Sequence, residues 1–186
     1  MKGNEALLSV LGLLERLEMS YMVTGSYATN VYGLPRSTKD ADVIVEAPAE
    51  SVSAVLDQLE LPLRADPQML FETVTASRRW IIGVDGSPFV IEVFLLNNHG
   101  FDRSRFDRRL RLVLMEGVEA SVPTAEDVIV QKLRWVARAR RAKDMTDACN
   151  VMMVQAGKLD WAYIERWCGE LGAEAVLAEA RELAED

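Results

Sequence analysis

The stretch YMVTGSYATNVYGLPRSTKDADVIVE, Tyr21 to Glu46, decides how this chain is read. Tyr21 to Thr24 has the character of a short strand, Gly25-Ser26 is a turn, and Ser26 to Tyr32 reads as a helix opening directly off that turn. A helix start presents unpaired N–H groups and a partial positive charge, which suits a phosphate. Gly33, Pro35 and Ser37 then force an irregular loop before Ala41 to Val45 resumes as a strand. Asp40 and Asp42 stand two residues apart, so on an extended strand their carboxylates leave on one face, about 7 Å apart at the backbone. Carboxylates held that close repel each other, and a hard cation such as Mg²⁺ between them is the natural relief.

On either side of this stretch the pattern is one of scaffold. Upstream, Asn4 to Leu17 places Leu7, Leu8, Leu11, Leu14 and Leu17 at the spacing of one buried helical face. Downstream, Ala49 to Leu59 repeats the helical period after Pro48, Leu61 to Pro67 is expected as a loop, and Gln68 to Ala76 as a short helix. Arg79 to Val84 and Pro88 to Leu96 are apolar runs around Asp85-Gly86, a strong hairpin signal. Inside the second run, FVIEVFLL, Glu92 lies between Ile91 and Val93, where a carboxylate is costly unless it is paired or bound to metal. Asp85 is the rival third acid, but the turn accounts for it. His99, the one histidine, falls in the break from Asn97 to Gly100 and is expected to be solvated.

Phe101 to Arg109 reads as basic and partly helical, and Leu110 to Met115 with Val118 to Val122 as a hairpin through Gly117. Pro123-Thr124 opens a helix with Thr124 as N-cap and Asp127 three residues on. Thr124 to Ala139, Asp144 to Ala156, Asp160 to Gly169 and Ala173 to Ala184 are expected as helices, the last three separated by Gly157 and Gly172. The shift from strands to helices near Pro123 divides the chain into 1–122 and 123–186.

The string G-S-Y-A-x-x-x-Y-G-x-P-R-x-T-x-D-x-D-V, from Gly25 to Val43, resembles the DNA polymerase beta-like nucleotidyltransferase superfamily, and within it small bacterial members such as the AbiEii-type toxins. The resemblance implies an α/β (α+β) fold: a mixed β-sheet core flanked by helices, with a helical C-terminal lobe. It further implies that Asp40, Asp42 and Glu92 bind two Mg²⁺ ions and that a nucleotidyl group passes from an NTP to a hydroxyl. Gly25, Ser26, Arg36, Thr38 and Lys39 would then contact the nucleotide. A second match, K-L, a basic run and K-D-x-x-D, is similar to later motifs of the AbiEii-type proteins and adds Lys132 and Asp144 to the catalytic set, with Asp147 behind them. The implied acceptor is an RNA, a protein or a small molecule, and the implied partner an antitoxin.

At 186 residues, 49% hydrophobic and 27% charged, the chain has the means to bury an ordinary core. Glu5, Glu15 and Glu18 interrupt the apolar start, so neither a signal peptide nor a membrane span is expected, and the cytoplasm is the expected compartment. Cys149 and Cys168 lack metal-ligand spacing and are expected as reduced core residues. The net charge of −8 opposes nucleic acid as a whole, but the segment from Asp160 to Asp186 holds eight acids against two arginines. Basic runs at Arg103 to Arg111 and Lys132 to Lys143 leave room for a polyanion. Two readings without turnover stand beside the enzyme: a nucleotide- or partner-binding module on the same fold, and a scaffold docking a basic partner on its acidic C-terminal helices.

Overall fold

The computed structural model describes residues 1–73, 75–115 and 117–185, with Glu185 described by its backbone alone. Helix α1 (Gly3–Arg16) leads into strand β1 (Tyr21–Thr24), helix α2 (Gly25–Tyr32) and strand β2 (Asp40–Val45). Helix α3 (Ala49–Leu56) precedes β3 (Leu63–Ala65), β4 (Leu70–Glu72), and the long hairpin of β5 (Ser77–Val84) and β6 (Ser87–Leu95). Helix α4 (Gly100–Asp107) and the hairpin of β7 (Leu110–Met115) and β8 (Val118–Val122) follow. The chain ends in α5 (Ala125–Ala139), α6 (Ala142–Val154), α7 (Trp161–Leu171) and α8 (Glu174–Glu185).

The main sheet runs in the order β1-β2-β6-β5-β3, with β4 also on β5, and β2–β6 is its parallel pair. Alternation decides its two faces. Val23, Val43, Val45, Ile82, Ile91 and Val93 point to the side covered by Leu7, Leu11 and Leu14 of α1 and by Val52, Val55 and Leu56 of α3. The other face carries Asp40, Asp42 and Ile44 on β2 and Glu92 and Phe94 on β6, because these are the intervening positions. A second apolar cluster joins Val128, Ile129 and Leu133 of α5 to residues of α6, α7 and α8, and reaches Ala28 of α2 and Phe101 of α4.

Four expectations are corrected. The segment from Leu61 to Pro67 is not all loop, because Leu63, Arg64 and Ala65 pair with Val84, Gly83 and Ile82. Within Gln68 to Ala76 the structure has a strand at Leu70–Glu72 paired with Ser77–Arg79 in place of a helix; position 74 lies outside the described residues. Three residues are too few to show a period, and pairing with β5 overrides local preference. The helix after Pro48 stops at Leu56 rather than Leu59, and Leu17 is 41% exposed rather than packed. Cys149 and Cys168 are free and buried, and among the described residues no helix is long and apolar enough to cross a membrane.

Candidate active site

Strand register brings the acids together. β1 and β2 are antiparallel with Thr24 opposite Asp42, so the turn after β1 arrives beside the start of β2. β2 and β6 are parallel with Asp42 level with Glu92, so the two carboxylates share a face on neighbouring strands, with Asp40 two residues back. Gly25, at φ +61, lies so close that a β-carbon there would stand 1.9 Å from Asp42 Oδ2. Its missing side chain is the space that the Asp42 carboxylate occupies. Burial, then Glu92 and Asp40, push the Asp42 carboxyl up to about 7 against the opposing pull of Lys132 and Arg141.

Each of the other two acids has a partner of its own. Thr38 Oγ1 donates to Asp40 Oδ1, and Arg79 Nη1 donates to Glu92 Oε2 at 2.6 Å. With those partners in place, no three acidic, histidine or cysteine side chains among the described residues are gathered closely enough to hold a metal ion as they stand. The donor set nevertheless suits a hard divalent cation. Glu92 and Asp40 both act electrostatically on the Asp42 carboxylate, and oxygen ligands of this charge are what Mg²⁺ prefers.

The opposite wall is built by α5 and α6. Arg140, in the left-handed conformation at φ 46, ends α5 and reverses the chain within two residues. That reversal sets Lys132 against α6, where its Nζ donates to Asp144 Oδ1 at 2.8 Å and to Asp147 Oδ2 at 2.7 Å. Asp147 in turn accepts from Arg36 Nε at 2.8 Å and Nη2 at 2.7 Å, and the same Nη2 reaches Ser26 Oγ at 2.9 Å. Burial raises the Asp147 carboxyl, but the hydrogen bonds from Arg36 and Lys132 outweigh it and hold it below its ordinary value. Because Lys132, Asp144 and Asp147 are all buried, Lys132→Met would leave two carboxylates without their ammonium. A loss of about 3 to 5 kcal/mol is expected, to be read in urea melts, and an unchanged midpoint would contradict the wiring.

The cleft between sheet and helices is lined by Gly25, Ser26, Asp40, Asp42, Glu92, Lys132 and Asp144 among the residues expected from sequence. Arg36, Thr38 and Lys39 stand outside that lining. Arg36 is committed to Asp147 and Ser26, Thr38 to Asp40, and Lys39 is exposed, with its backbone carbonyl accepting from Val90 at 3.1 Å. Asp85 sits in the hairpin turn on Arg64, away from the cleft. His99 caps α4, its Nδ1 accepting from the Phe101 N–H at 3.2 Å. The sequence reading missed Arg79, Arg105, Gln131 and Trp135 as cleft residues. One signal was available: Val128, Gln131, Lys132 and Trp135 follow the helical spacing of a single face.

The description "Nucleotidyltransferase of unknown function (DUF6036)" matches residues 4–182. No curated protein sequence matches the chain. Among solved structures, the solution structure of the antibiotic-resistance factor ANT(2'')-Ia aligns at TM-score 0.60 and 9% identity, over 95% of this chain and 94% of that one. ANT(2'')-Ia in complex with adenylyl-2''-tobramycin aligns at 0.62 and 8%, over 92% and 97%. The lincosamide antibiotic adenylyltransferase LnuA, lincomycin-bound, aligns at 0.52 and 12%, over 81% and 96%. At such identities the likeness is one of fold, and the mixed sheet with its helical C-terminal region is that fold.

Proposed function

The chain belongs to the nucleotidyltransferase family of unknown function DUF6036, and from that premise we propose that it moves a nucleotidyl group from an NTP to an acceptor hydroxyl. The observation that carries this reading is the register that sets Asp42 level with Glu92, two residues from Asp40, with Gly25 packed on the Asp42 carboxylate. Asp40, Asp42 and Glu92 are the ligands proposed for two Mg²⁺ ions, which would neutralise the triphosphate and make the acceptor hydroxyl more acidic. A carboxylate oxygen of Glu92 takes the hydroxyl proton. The acceptor oxygen bonds to the α-phosphorus, the bond from that phosphorus to the bridging oxygen breaks, and pyrophosphate leaves.

The remaining residues position and neutralise, as phosphoryl chemistry requires. Arg36 occupies a lone pair of Ser26 Oγ, which leaves the Ser26 O–H to donate to a phosphate beside the N-terminus of α2. Lys39 and Lys143 are the cations proposed to meet the triphosphate. Arg36, Thr38 and Asp147 are proposed as positioning residues, and Lys132 with Asp144 as the pair that closes the cleft on the nucleotide. The segment 1–122 is proposed as the catalytic core and 123–186 as the lobe that supplies this pair. Small-molecule acceptors are favoured by two fold neighbours, ANT(2'')-Ia in complex with adenylyl-2''-tobramycin and the lincosamide antibiotic adenylyltransferase LnuA.

The test is a transfer screen with each labelled NTP, Mg²⁺ and cell extract, followed by mass spectrometry of any labelled product. Formation of an NMP adduct supports the reading, and nucleotide binding with no adduct in any fraction supports the non-catalytic module. The link to AbiEii-type toxins rests on the Gly25 to Val43 string and on Lys132 and Asp144. It is checked by growth arrest on expression, relieved by Asp42→Asn and by a co-expressed antitoxin.

A further inference from the structure

The cleft is lined in part by residues that the proposed chemistry leaves unused. Among the described residues, buried side-chain atoms without a hydrogen-bond partner concentrate on its lining: Arg79 Nε, Arg105 Nε and Gln131 Oε1 are three such atoms. A fourth, Asp144 Oδ2, has Arg141 Nε at 3.1 Å as an ion-pair partner and is accounted for. Orphaned polar atoms in a buried setting cost free energy, and a lining that keeps them is shaped for something that pairs with them.

Arg105 is the clearest case. It is 5% exposed, and its Nη2 meets Asp102 Oδ1 at 2.9 Å. That carboxylate is shared, because Arg134 Nη1 lies 3.2 Å from both of its oxygens. Two buried guanidiniums thus divide one acid. Asp127, which also acts on Arg105, has its own oxygens taken by Tyr163, Thr124 and Arg108. The charges acting most strongly on Arg105 are Asp102, Arg134 and Asp127, whereas those acting on Asp42 are Glu92, Asp40, Lys132 and Arg141. Arg79 lines the same cleft, its Nη1 on Glu92 and its Nε unused.

We propose that Arg105 and Arg79 form an anion subsite for the acceptor, so that the molecule modified is a phosphate ester carrying a free hydroxyl. The guanidinium fork matches phosphate oxygens, and Gln131 Oε1 accepts from a neighbouring hydroxyl of the same molecule. With the phosphate on the two arginines, the free hydroxyl reaches toward Glu92 and the α-phosphorus. The transfer itself is unchanged: the hydroxyl oxygen gains the nucleotidyl group, its proton passes to Glu92, and pyrophosphate departs. This inference rests on the nucleotidyltransferase reading and adds the acceptor class to it. A sugar phosphate and the 3′ end of an RNA share the required chemistry.

The experiment is calorimetry on the intact protein saturated with Mg²⁺ and a non-hydrolysable NTP analogue. It titrates ribose 5-phosphate, ribose, a short RNA with a free 3′ hydroxyl, and tobramycin as a cationic control. Ribose 5-phosphate or the RNA is expected to bind at least about tenfold more tightly than ribose or tobramycin, the size of one charge-assisted hydrogen bond. Which of the two binds more tightly identifies the source. Arg105→Gln should remove that preference while leaving analogue affinity within about twofold. If Arg105→Gln does not fold, Gln131→Glu, which sets a carboxylate in the subsite, should weaken the phosphate ester by a similar factor. Equal binding of ribose and its phosphate, a preference for tobramycin, or variants indistinguishable from the parent would overturn the subsite. Failure of the parent to bind the analogue at all would instead overturn the nucleotidyltransferase reading.

Discussion

Asp42→Asn is expected to reduce nucleotidyl transfer by at least about 10³-fold and yet to melt higher than the parent in EDTA at pH 8. The first effect follows from removing a central metal ligand, whose charge stabilisation is worth several kcal/mol, at tenfold in rate per about 1.4 kcal/mol. The second follows from the sign of the ionisation. In the folded chain the Asp42 carboxyl is pushed up to about 7, whereas in the unfolded chain it titrates near an ordinary value of about 3.9. Between those values the folded state holds a proton that the unfolded state has lost, so stability falls as pH rises through that window. At pH 8 the charged Asp42 opposes the metal-free fold, and an amide of the same shape does not. A gain of a few degrees is expected, since about 1 kcal/mol moves the midpoint of a chain this size by roughly 2 to 4 °C. Mg²⁺ should raise the melting temperature of the parent and leave that of the variant in place. A variant that melts lower in EDTA, or that retains transfer, would remove Asp42 from the site.

Gly25→Ala carries the next largest effect. The new methyl group would fall 1.9 Å from Asp42 Oδ2, at a residue whose φ of +61 already disfavours a side chain. The backbone strain costs of order 1 to 3 kcal/mol, and relief of the clash turns the Asp42 carboxylate out of its position between Asp40 and Glu92. A loss of at least about 10²-fold in transfer is expected, together with a lower denaturation midpoint. In Asp42→Asn the two effects separate, with activity lost and metal-free stability gained, whereas in Gly25→Ala both decline. Parental rates in Gly25→Ala would show that the contact does not matter to the reaction.

Much of this site was legible in the sequence because it is local. Gly25, Ser26, Asp40 and Asp42 fall within one strand-turn-helix-loop-strand unit, and the antiparallel pairing of its two strands brings the turn back to the aspartates. Glu92 was legible for an energetic reason, as a carboxylate in the middle of an apolar strand. Arg79 lay within reach of the same reading, although the register on which it meets Glu92 was not. Counted from the Asp85-Gly86 turn, with Val84 opposite Ser87, a regular hairpin would set Arg79 directly opposite Glu92. The irregularity at Gly83/Val84 instead puts Ile81 there, and Arg79 opposite Phe94, still on the same face. A bulge of that kind inserts a displacement that no turn signal announces. Arg105 was hidden differently. In the sequence it is one of several arginines in a basic run, and only the packing of α4 on α5 reveals that it is buried with Arg134 on a shared acid. Arg36 looked like a phosphate ligand from its place in the loop, while its bidentate pair with Asp147 depends on a residue 111 positions away.

The central claim is that Asp40, Asp42 and Glu92 together hold divalent metal beside a nucleotide. Mn²⁺ binding measured by electron paramagnetic resonance, with and without a non-hydrolysable NTP analogue, tests it most directly. Two Mn²⁺ ions per chain are expected with the analogue present, as the two-metal arrangement requires, and fewer than one at the same free concentration in Asp42→Asn and in Glu92→Gln. Identical Mn²⁺ stoichiometry and affinity in the parent and in both variants would contradict the account.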